Sequence, residues 1–231
     1  MGDKPEAIAI TPVCHESLHA VLAVRIGQDG DVVEIPPFGR HRILVSLPDV
    51  DSSELVSVCE LLCQEGYTTW SVSVERLQTA VELMAVFGRR ARFGVQGVSD
   101  VATVRRVAKA GAQFVATRLL APKLVKAVPE FPVILGGATP SELVAGLDAG
   151  AAAVQLWPAD SYSQPTAAEL VGLLEGRPLI AAGEMDQESA SWWLRAGAVG
   201  VWPTGLVGEA IVEYGGLDGL REQLHWWRLE L

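Results

Sequence analysis

The chain has 231 residues, 49% of them hydrophobic and 20% charged, which is enough to bury one large core, and single α/β barrels reach this length. Its formal net charge is −10 and its basic residues form no run longer than a pair such as Arg89 and Arg90, so we expect neither nucleic-acid nor membrane partners. The charged residues 1–6 contain no apolar signal core, and no apolar run approaches the roughly 18 residues of a spanning helix, so we expect a cytoplasmic protein.

Residues 1–41 stand apart from the repeated pattern of the chain, and we interpret them as an N-terminal extension to a barrel domain over 42–231. Within the extension, two apolar runs at 20–26 and 32–35 flank the turn residues 28–31, a pattern that predicts a β-hairpin. We expect this hairpin to close the bottom of the barrel or to pack on its side.

A repeated pattern begins after the extension. Four amphipathic stretches end at Gly66, Gly111, Gly150 and Gly197, and each is followed by a short apolar run. This order is typical of a helix that ends in a glycine cap and leads into a buried parallel strand. The four glycines are 45, 39 and 47 residues apart, which leaves room for two β/α units, and a second apolar run lies midway in each interval.

The repeat therefore predicts eight strands that alternate with helices, and capping residues at Asp51, Asp100 and Thr139 mark three helix starts. The fold predicted from this order is an α/β fold, a closed (β/α)8 TIM barrel, with an open doubly wound sheet as the alternative. The predicted strands lie near 42–47, 68–74, 91–96, 113–117, 132–136, 152–157, 178–182 and 198–202.

The last stretch, 217–231, has helical spacing with Trp226 and Trp227 near its end. Because two exposed tryptophans are unfavourable in water, we expect them to pack on the barrel or on a neighbouring subunit.

Cysteine and histidine residues do not predict a metal site. Cys59 and Cys63 share one face of a predicted helix, so we interpret them, with Cys14, as free thiols in preference to a metal knuckle. The histidines lie away from the predicted strand ends, which favours surface or core-edge positions over ligation. They are His15, His19, His41 and His225.

Catalytic groups of such barrels stand at the carboxyl ends of the strands and in the loops that follow. Gly136 and Gly137 follow the fifth strand without the Lys or Ser/Thr of a phosphate loop, so they indicate a tight turn. The side chains predicted at the remaining strand ends are Ser71, Ser73, Glu75, Gln96, Thr117, Arg118, Gln155, Trp157, Glu184, Asp186, Trp202 and Thr204.

Several of these positions carry a resemblance to a known family. The segment Gly137-Ala138-Thr139-Pro140-Ser141-Glu142-Leu143, followed by Ala149-Gly150-Ala151 and by Gln155-Leu156-Trp157-Pro158-Ala159, resembles the 2-keto-3-deoxy-6-phosphogluconate / 4-hydroxy-2-oxoglutarate aldolases from their fifth strand to their Lys-Phe-Phe-Pro-Ala motif. Further similarity lies at 110–117 and 122–126, so roughly residues 42–205 follow the family plan.

The resemblance implies a class I aldolase that attacks the 2-oxo carbon of pyruvate-like substrates with a lysine amine, while a glutamate moves the protons. In this chain the lysine position is Gln155 and the glutamate position is Ser71, so both reagents are replaced. An amide has no basic lone pair and cannot form an imine. We therefore predict a divergent, degenerate member that has lost Schiff-base lyase activity.

The loop after the seventh strand also departs from the family pattern, at residues that the family uses to bind its substrate. The resemblance implies a Pro-Thr-Gly-Gly phosphate loop where this chain has Ala181-Ala182-Gly183-Glu184, and a carboxylate there repels a phosphate.

Arg118 is the residue that we expect to bind a substrate carboxylate, because its planar guanidinium can donate two parallel hydrogen bonds to the two carboxylate oxygens. Trp157 either forms a wall of the mouth or packs in place of a family phenylalanine. The residues predicted to bind substrate are Ser73, Gln96, Thr117, Arg118, Gly137, Thr139, Trp157, Gly183 and Glu184.

Two routes to residual chemistry compete with structural roles for the same residues. Glu184, Asp186 and Glu75 could hold a divalent cation, but Asp186 is also a good helix N-cap, which we prefer, and we expect neither a metal nor another cofactor. Rescue by another lysine is disfavoured, because long amines on outer helices stay solvated. The lysines are Lys4, outside the barrel, and Lys109, Lys123 and Lys126 on predicted helices.

Three functions remain open from the sequence. The first is a degenerate barrel that binds a small 2-oxo acid-like, carboxylate-bearing metabolite or a partner protein without covalent chemistry, and we favour it. The second is an active lyase on a 2-oxo acid of the 4-hydroxy-2-oxoglutarate or 2-keto-3-deoxy-6-phosphogluconate type, with a rewired or metal-assisted site. The third is a scaffold, because the resemblance implies a homo-oligomer, commonly a trimer.

Overall fold

The computed structural model describes residues 38–209 and 216–229. The hairpin predicted within the N-terminal extension lies outside these residues, and so do Lys4, Cys14, His15 and His19. The division into an extension and a barrel domain therefore stays a prediction. Among the described helices, none is long and apolar enough to cross a membrane.

Eight parallel strands form one sheet in the order of the sequence, and helices follow the strands. The strands are β1 (Leu44–Ser46), β2 (Thr69–Ser73), β3 (Arg92–Gln96), β4 (Phe114–Ala116), β5 (Val133–Gly137), β6 (Ala153–Leu156), β7 (Leu179–Gly183) and β8 (Gly200–Pro203). The described helices are α1 (Ser52–Gln64), α2 (Leu77–Phe87), α3 (Val101–Lys109), α4 (Pro122–Ala127), α5 (Pro140–Asp148), α6 (Gln164–Leu173), α7 (Gln187–Ala196) and α8 (Leu217–Trp226).

The first and last strands meet and close the sheet. Ile43 forms a parallel bridge with Val201, and the Val201 N–H donates a 2.9 Å hydrogen bond to the Arg42 carbonyl oxygen. The sheet is thus a (β/α)8 barrel, which confirms the predicted fold, and the open doubly wound alternative is wrong.

The helix ends explain why the repeat was visible in the sequence. Gly66, Gly111, Gly150 and Gly197 all have φ between 84° and 113°, a left-handed conformation that a side chain disfavours. At the N-terminus of α3, the Asp100 carboxylate accepts a 2.9 Å hydrogen bond from the Thr103 N–H. At the N-terminus of α1, the side chain of Asp51 accepts no capping bond.

Alternate strand residues point to two separate cores. One apolar core lies between the strands and the helices, and a smaller one fills the barrel interior, where Leu44, Phe114, Ile134 and Ile180 are buried. A Cβ at Gly94 would overlap the Phe114 ring, so the absence of a side chain on β3 makes room for that ring inside the barrel.

Helix α8 is anchored beside α1 by charge and by packing. Glu65, whose side chain is only 10% exposed, lies 2.6 Å from Arg228, 3.2 Å from His225 and 3.6 Å from Arg221. The Tyr67 hydroxyl donates to the Leu224 carbonyl oxygen at 2.6 Å. These contacts join the end of the chain to the end of its first helix.

The two terminal tryptophans differ from each other. Trp227 is half-buried against the apolar core, as predicted, but Trp226 is 73% exposed, so the expectation that it packs on this chain's own barrel is wrong. Successive helical residues point about 100° apart, which places only one of the two on the packed face of α8.

We expect Gly94→Ala to destabilise the fold by about 1–3 kcal/mol, because the added methyl group overfills the interior against Phe114. Gly172→Ala is the matched control, since nothing lies within 4 Å of its added Cβ on α6, and alanine is the better helix former by about 0.5–1 kcal/mol. Urea unfolding of both variants measures the difference. Equal unfolding midpoints would contradict this packing of the interior.

Candidate functional site

A cavity of about 490 Å³ opens at the carboxyl ends of the strands. This is the end of a (β/α)8 barrel at which binding and catalytic groups are found. The lining residues come from the strand ends and the loops that follow, and most are polar. They are Ser46, Asp49, Ser73, Gln96, Gly97, Ser99, Ala116, Thr117, Arg118, Leu119, Gln155, Trp157, Ala182, Trp202, Thr204 and Gly205.

Gln155 stands in this cavity on β6 and is 97% buried, with 3% exposure. Its Nε2 donates a 2.6 Å hydrogen bond to the Thr117 carbonyl oxygen at the end of β4. The strand between them, β5, has Gly136 beside Gln155, and a Cβ on Gly136 would overlap the backbone of Arg118. Glycine at this position therefore lets the 117–119 segment approach closely enough to bind the amide.

A polar group of residues forms the floor of the cavity. The Trp202 indole Nε1 donates to the Ser46 hydroxyl at 2.8 Å, and this hydroxyl also lies 3.4 Å from the Gln96 Oε1 and from the Ser71 hydroxyl. Ser71 is fully buried and does not line the cavity. Ser73, two residues further along β2, does line the cavity. The bottom of the cavity therefore lies one layer of side chains above Ser71.

Arg118 and Trp157 stack at the mouth. The Cζ of the guanidinium lies 3.9 Å from the centroid of the indole ring, a cation–π contact that fixes the plane of the guanidinium. Within the described part of the chain, no carboxylate lies at ion-pair distance from Arg118. Of the lining residues in the described ranges, only Asp49 and Arg118 carry a charge. The cavity thus offers one cation whose hydrogen-bond donors are not engaged by an acid.

Four residues of the predicted binding set do not line the cavity. Thr139 and Glu142 form a capping box at the start of α5, and a Cβ on Gly137 would crowd Glu142. Gly183 packs beside Asp160, and Glu184 is exposed outside the lining. Thr139 and Gly137 thus serve the start of α5, and Gly183 serves loop packing. The other five, which are Ser73, Gln96, Thr117, Arg118 and Trp157, come together in the cavity, and their role in binding stays a prediction.

Some lining residues were absent from the predicted set. Ser46 ends β1 and Asp49 follows it, while Ser99 and Leu119 belong to the loops after β3 and β4. The rule that strand ends line the mouth applies equally to the first strand, so Ser46 was identifiable. The loop residues had no comparable signal, because loop conformation decides which of them face the cavity.

The carboxylate-based metal hypothesis gains no support from the geometry. Asp186 is the N-cap of α7, as preferred, and accepts a 2.8 Å hydrogen bond from the Ser189 N–H. Hydrogen bonds to Ser189 lower the pKa of this carboxyl. Across residues 38–209 and 216–229, no three His, Cys, Asp or Glu side chains are grouped so that they could hold a metal ion.

The remaining candidate groups lie away from the cavity. Lys109 on α3, and Lys123 and Lys126 on α4, are all exposed on outer helices. The other groups are also structural: the His41 ring stacks on Tyr67, His225 contacts Glu65, and Cys59 and Cys63 are free thiols on α1 whose pKa burial raises.

The fold and this cavity together define a (β/α)8 barrel with a small-molecule site at the carboxyl ends of its strands. A family's sequence model, described as KDPG and KHG aldolase, matches residues 40–219. The chain belongs to the KDPG and KHG aldolase family, which confirms the resemblance seen in the sequence.

Solved structures show the same fold at low identity. The KDPG aldolase of Legionella pneumophila, with pyruvate captured as a covalent carbinolamine, is 18% identical with a TM-score of 0.71 over 79% of this chain and 92% of that one. The Zymomonas mobilis ZM4 aldolase with 3-phosphoglycerate is 17% identical with a TM-score of 0.70 over 81% and 92%. A protein cage designed by fusing symmetric oligomeric domains is 19% identical with a TM-score of 0.66 over 80% and 76%. No curated protein sequence matches the chain.

We expect Ser46→Ala to destabilise the protein by about 1 kcal/mol, because the nearly buried Trp202 indole loses its acceptor. This is the low end of the cost of an unpaired buried donor, since water in the cavity can take the acceptor's place. Ser73→Ala is the control: that hydroxyl also lines the cavity but only accepts a 3.4 Å bond from the Glu75 N–H. Urea unfolding should separate the two variants, and equal losses would contradict the role given to Ser46.

Proposed function

We propose that this chain binds a small, carboxylate-bearing, 2-oxo acid-like metabolite non-covalently and has lost the Schiff-base lyase chemistry of its family. The observation that carries the proposal is Gln155. The family resemblance aligns it with the Schiff-base lysine, and its amide lies in the cavity with Nε2 bound to the Thr117 carbonyl oxygen. An amide nitrogen has its lone pair delocalised into the carbonyl group, so it cannot attack a 2-oxo carbon.

The other groups needed for the reaction are also missing from the cavity. The described lysines are exposed on α3 and α4, and none of them lines the cavity. Ser71, aligned with the family glutamate, is buried beneath the floor and carries a hydroxyl, which is too weak an acid and too weak a base to act as the proton carrier near neutral pH. Loss of both the amine and the proton carrier supports binding without turnover.

Arg118 supports binding of a carboxylate. Its guanidinium lines the cavity, is held against the Trp157 ring, and has no described acidic partner. A planar guanidinium presents paired N–H donors that match the two oxygens of a carboxylate, and stacking reduces the side-chain freedom lost on binding. A ligand with a carboxylate at this end would thus neutralise the one cation that the described lining residues provide.

We also propose that the protein is a cytoplasmic homotrimer. The likeness to a cage designed from symmetric oligomeric domains supports an oligomer, as does the exposed Trp226, which a neighbouring subunit would cover. Sedimentation equilibrium tests the trimer directly.

The first test is reductive trapping with pyruvate and borohydride. Wild-type protein should give no covalent adduct, whereas Gln155→Lys should be trapped at residue 155, because a buried lysine has a lowered pKa and retains a nucleophilic amine. Gln96→Lys places an amine elsewhere in the same cavity and should trap far less. A wild-type adduct mapped to any lysine, together with pyruvate release, would favour the active lyase instead.

The second test restores the proton carrier. Gln155→Lys with Ser71→Glu should cleave 4-hydroxy-2-oxoglutarate or 2-keto-3-deoxy-6-phosphogluconate faster than Gln155→Lys alone, by about 10²–10⁴-fold, the usual contribution of a positioned acid or base. Gln155→Lys with Ser71→Gln has the same side-chain size but no acid, so its rate of pyruvate release should match that of the single variant. Equal rates for the two double variants would remove position 71 from the explanation.

A further inference from the structure

Resting on the proposed non-covalent site, we propose that its ligand is a polyhydroxylated monocarboxylate without a phosphate group, a sugar acid of the gluconate type whose C2 carries a hydroxyl or an oxo group. In this arrangement the carboxylate pairs with Arg118 and the hydroxyl groups bind the uncharged polar lining. The inference concerns the chemical class of the ligand, and three observations carry it.

The first observation is the charge of the cavity. Among the lining residues that the structure describes, Asp49 and Arg118 are the only charged ones, so the described lining holds one cation. One guanidinium can neutralise one carboxylate. A phosphate adds a charge of about −1.5 to −2, and the lining has no second cation to pair with it.

The second observation concerns the helix N-termini around the mouth, which could otherwise bind phosphate through their backbone N–H groups. Three of them are already occupied by the chain's own carboxylates. Asp100 accepts from the Thr103 N–H on α3, and Asp186 accepts from the Ser189 N–H on α7. Glu142 accepts from the N–H groups of Ala138 and Thr139, at 2.9 and 3.0 Å, at the start of α5.

Side-chain hydrogen bonds from Thr103, Thr139 and Ser189, together with these backbone bonds, lower the pKa of Asp100, Glu142 and Asp186, so the three carboxylates are charged at neutral pH. An approaching phosphate would meet negative charge at these three helix ends. The same arrangement does not disfavour uncharged hydroxyl groups.

The third observation is the supply of partners for hydroxyl groups. Ser73, Thr204, Gln96 and Gln155 line the cavity, and each carries both donors and acceptors or can exchange these roles. The one hydrogen bond that Gln96 makes within the described chain is through Oε1, at 3.4 Å from Ser46, which leaves its two Nε2 hydrogens for a ligand. The Asp49 carboxylate can accept from further hydroxyl groups.

The floor suits the carbon chain of such a ligand. Trp202 is held by its hydrogen bond to Ser46, so the indole presents a fixed surface within the cavity. Aromatic rings pack against C–H groups while polar atoms nearby bind hydroxyl groups, a combination that fits a polyol better than a short oxo acid.

Isothermal titration with four probes tests the inference: gluconate, glucitol, pyruvate and 6-phosphogluconate. Gluconate should bind most tightly, and each of the other three should bind at least about tenfold more weakly, because each lacks the carboxylate, lacks the hydroxyl groups or adds a phosphate. Arg118→Gln should reduce the affinity for gluconate by about tenfold and leave that for glucitol unchanged. Arg105→Gln, an exposed position on α3, is the control and should change neither.

The outcomes separate this inference from the function on which it rests. Pyruvate binding as tightly as gluconate would overturn the sugar-acid assignment and leave non-covalent 2-oxo acid binding intact. Tighter binding of 6-phosphogluconate would overturn the exclusion of phosphate. An equal loss of gluconate and glucitol affinity in Arg118→Gln would show a structural role for Arg118, and failure of all four probes to bind would overturn both proposals.

Discussion

The closed barrel imposes one constraint on which all other features of the site depend, namely that alternate residues of each strand point inward. Gln155 faces the interior only because its strand neighbours Val154 and Leu156 face the helices. A shift of one residue in the pairing of β6 would exchange them and bring two apolar side chains into the mouth. Backbone bonds between the strands, including the closure at Ile43 and Val201, therefore determine which side chains can meet a ligand.

The strands could be predicted because their signals are local. A glycine at a left-handed helix end and the apolar run after it are neighbours in the sequence. The helix ends predicted at Gly66 and Gly197 are therefore correct. The anchoring of α8 could not be found in this way. Glu65 meets Arg228 across 163 residues, and nothing in the neighbourhood of either residue indicates the other. Such pairs depend on how the whole chain folds back on itself.

The candidate site was predicted only in part, for a similar reason. Because side chains alternate along a strand, Ser71 and Ser73 both point into the barrel. This alternation alone does not say how deep the cavity reaches before side chains fill the interior. In the structure the Ser46 hydroxyl, which accepts from the Trp202 indole, lies 3.4 Å from the Ser71 hydroxyl, and of the two serines on β2 only Ser73 lines the cavity. Likewise, the sequence points to Arg118 as a cation at the mouth, while its stacking on Trp157 requires the two loops to be positioned by the fold.

Glutamine in place of a catalytic lysine, as we propose for Gln155, need not weaken such a barrel. A buried amine is stable only with compensating interactions, because removing a charge from water is costly, whereas a neutral amide needs only hydrogen-bond partners. Gln155 has one such partner in the Thr117 carbonyl oxygen, at 2.6 Å. The interactions that close the barrel are backbone hydrogen bonds and apolar packing, and neither involves this side chain. The scaffold can therefore persist while its chemistry changes, which is why the fold identifies the family and only the residues in the cavity can indicate the function.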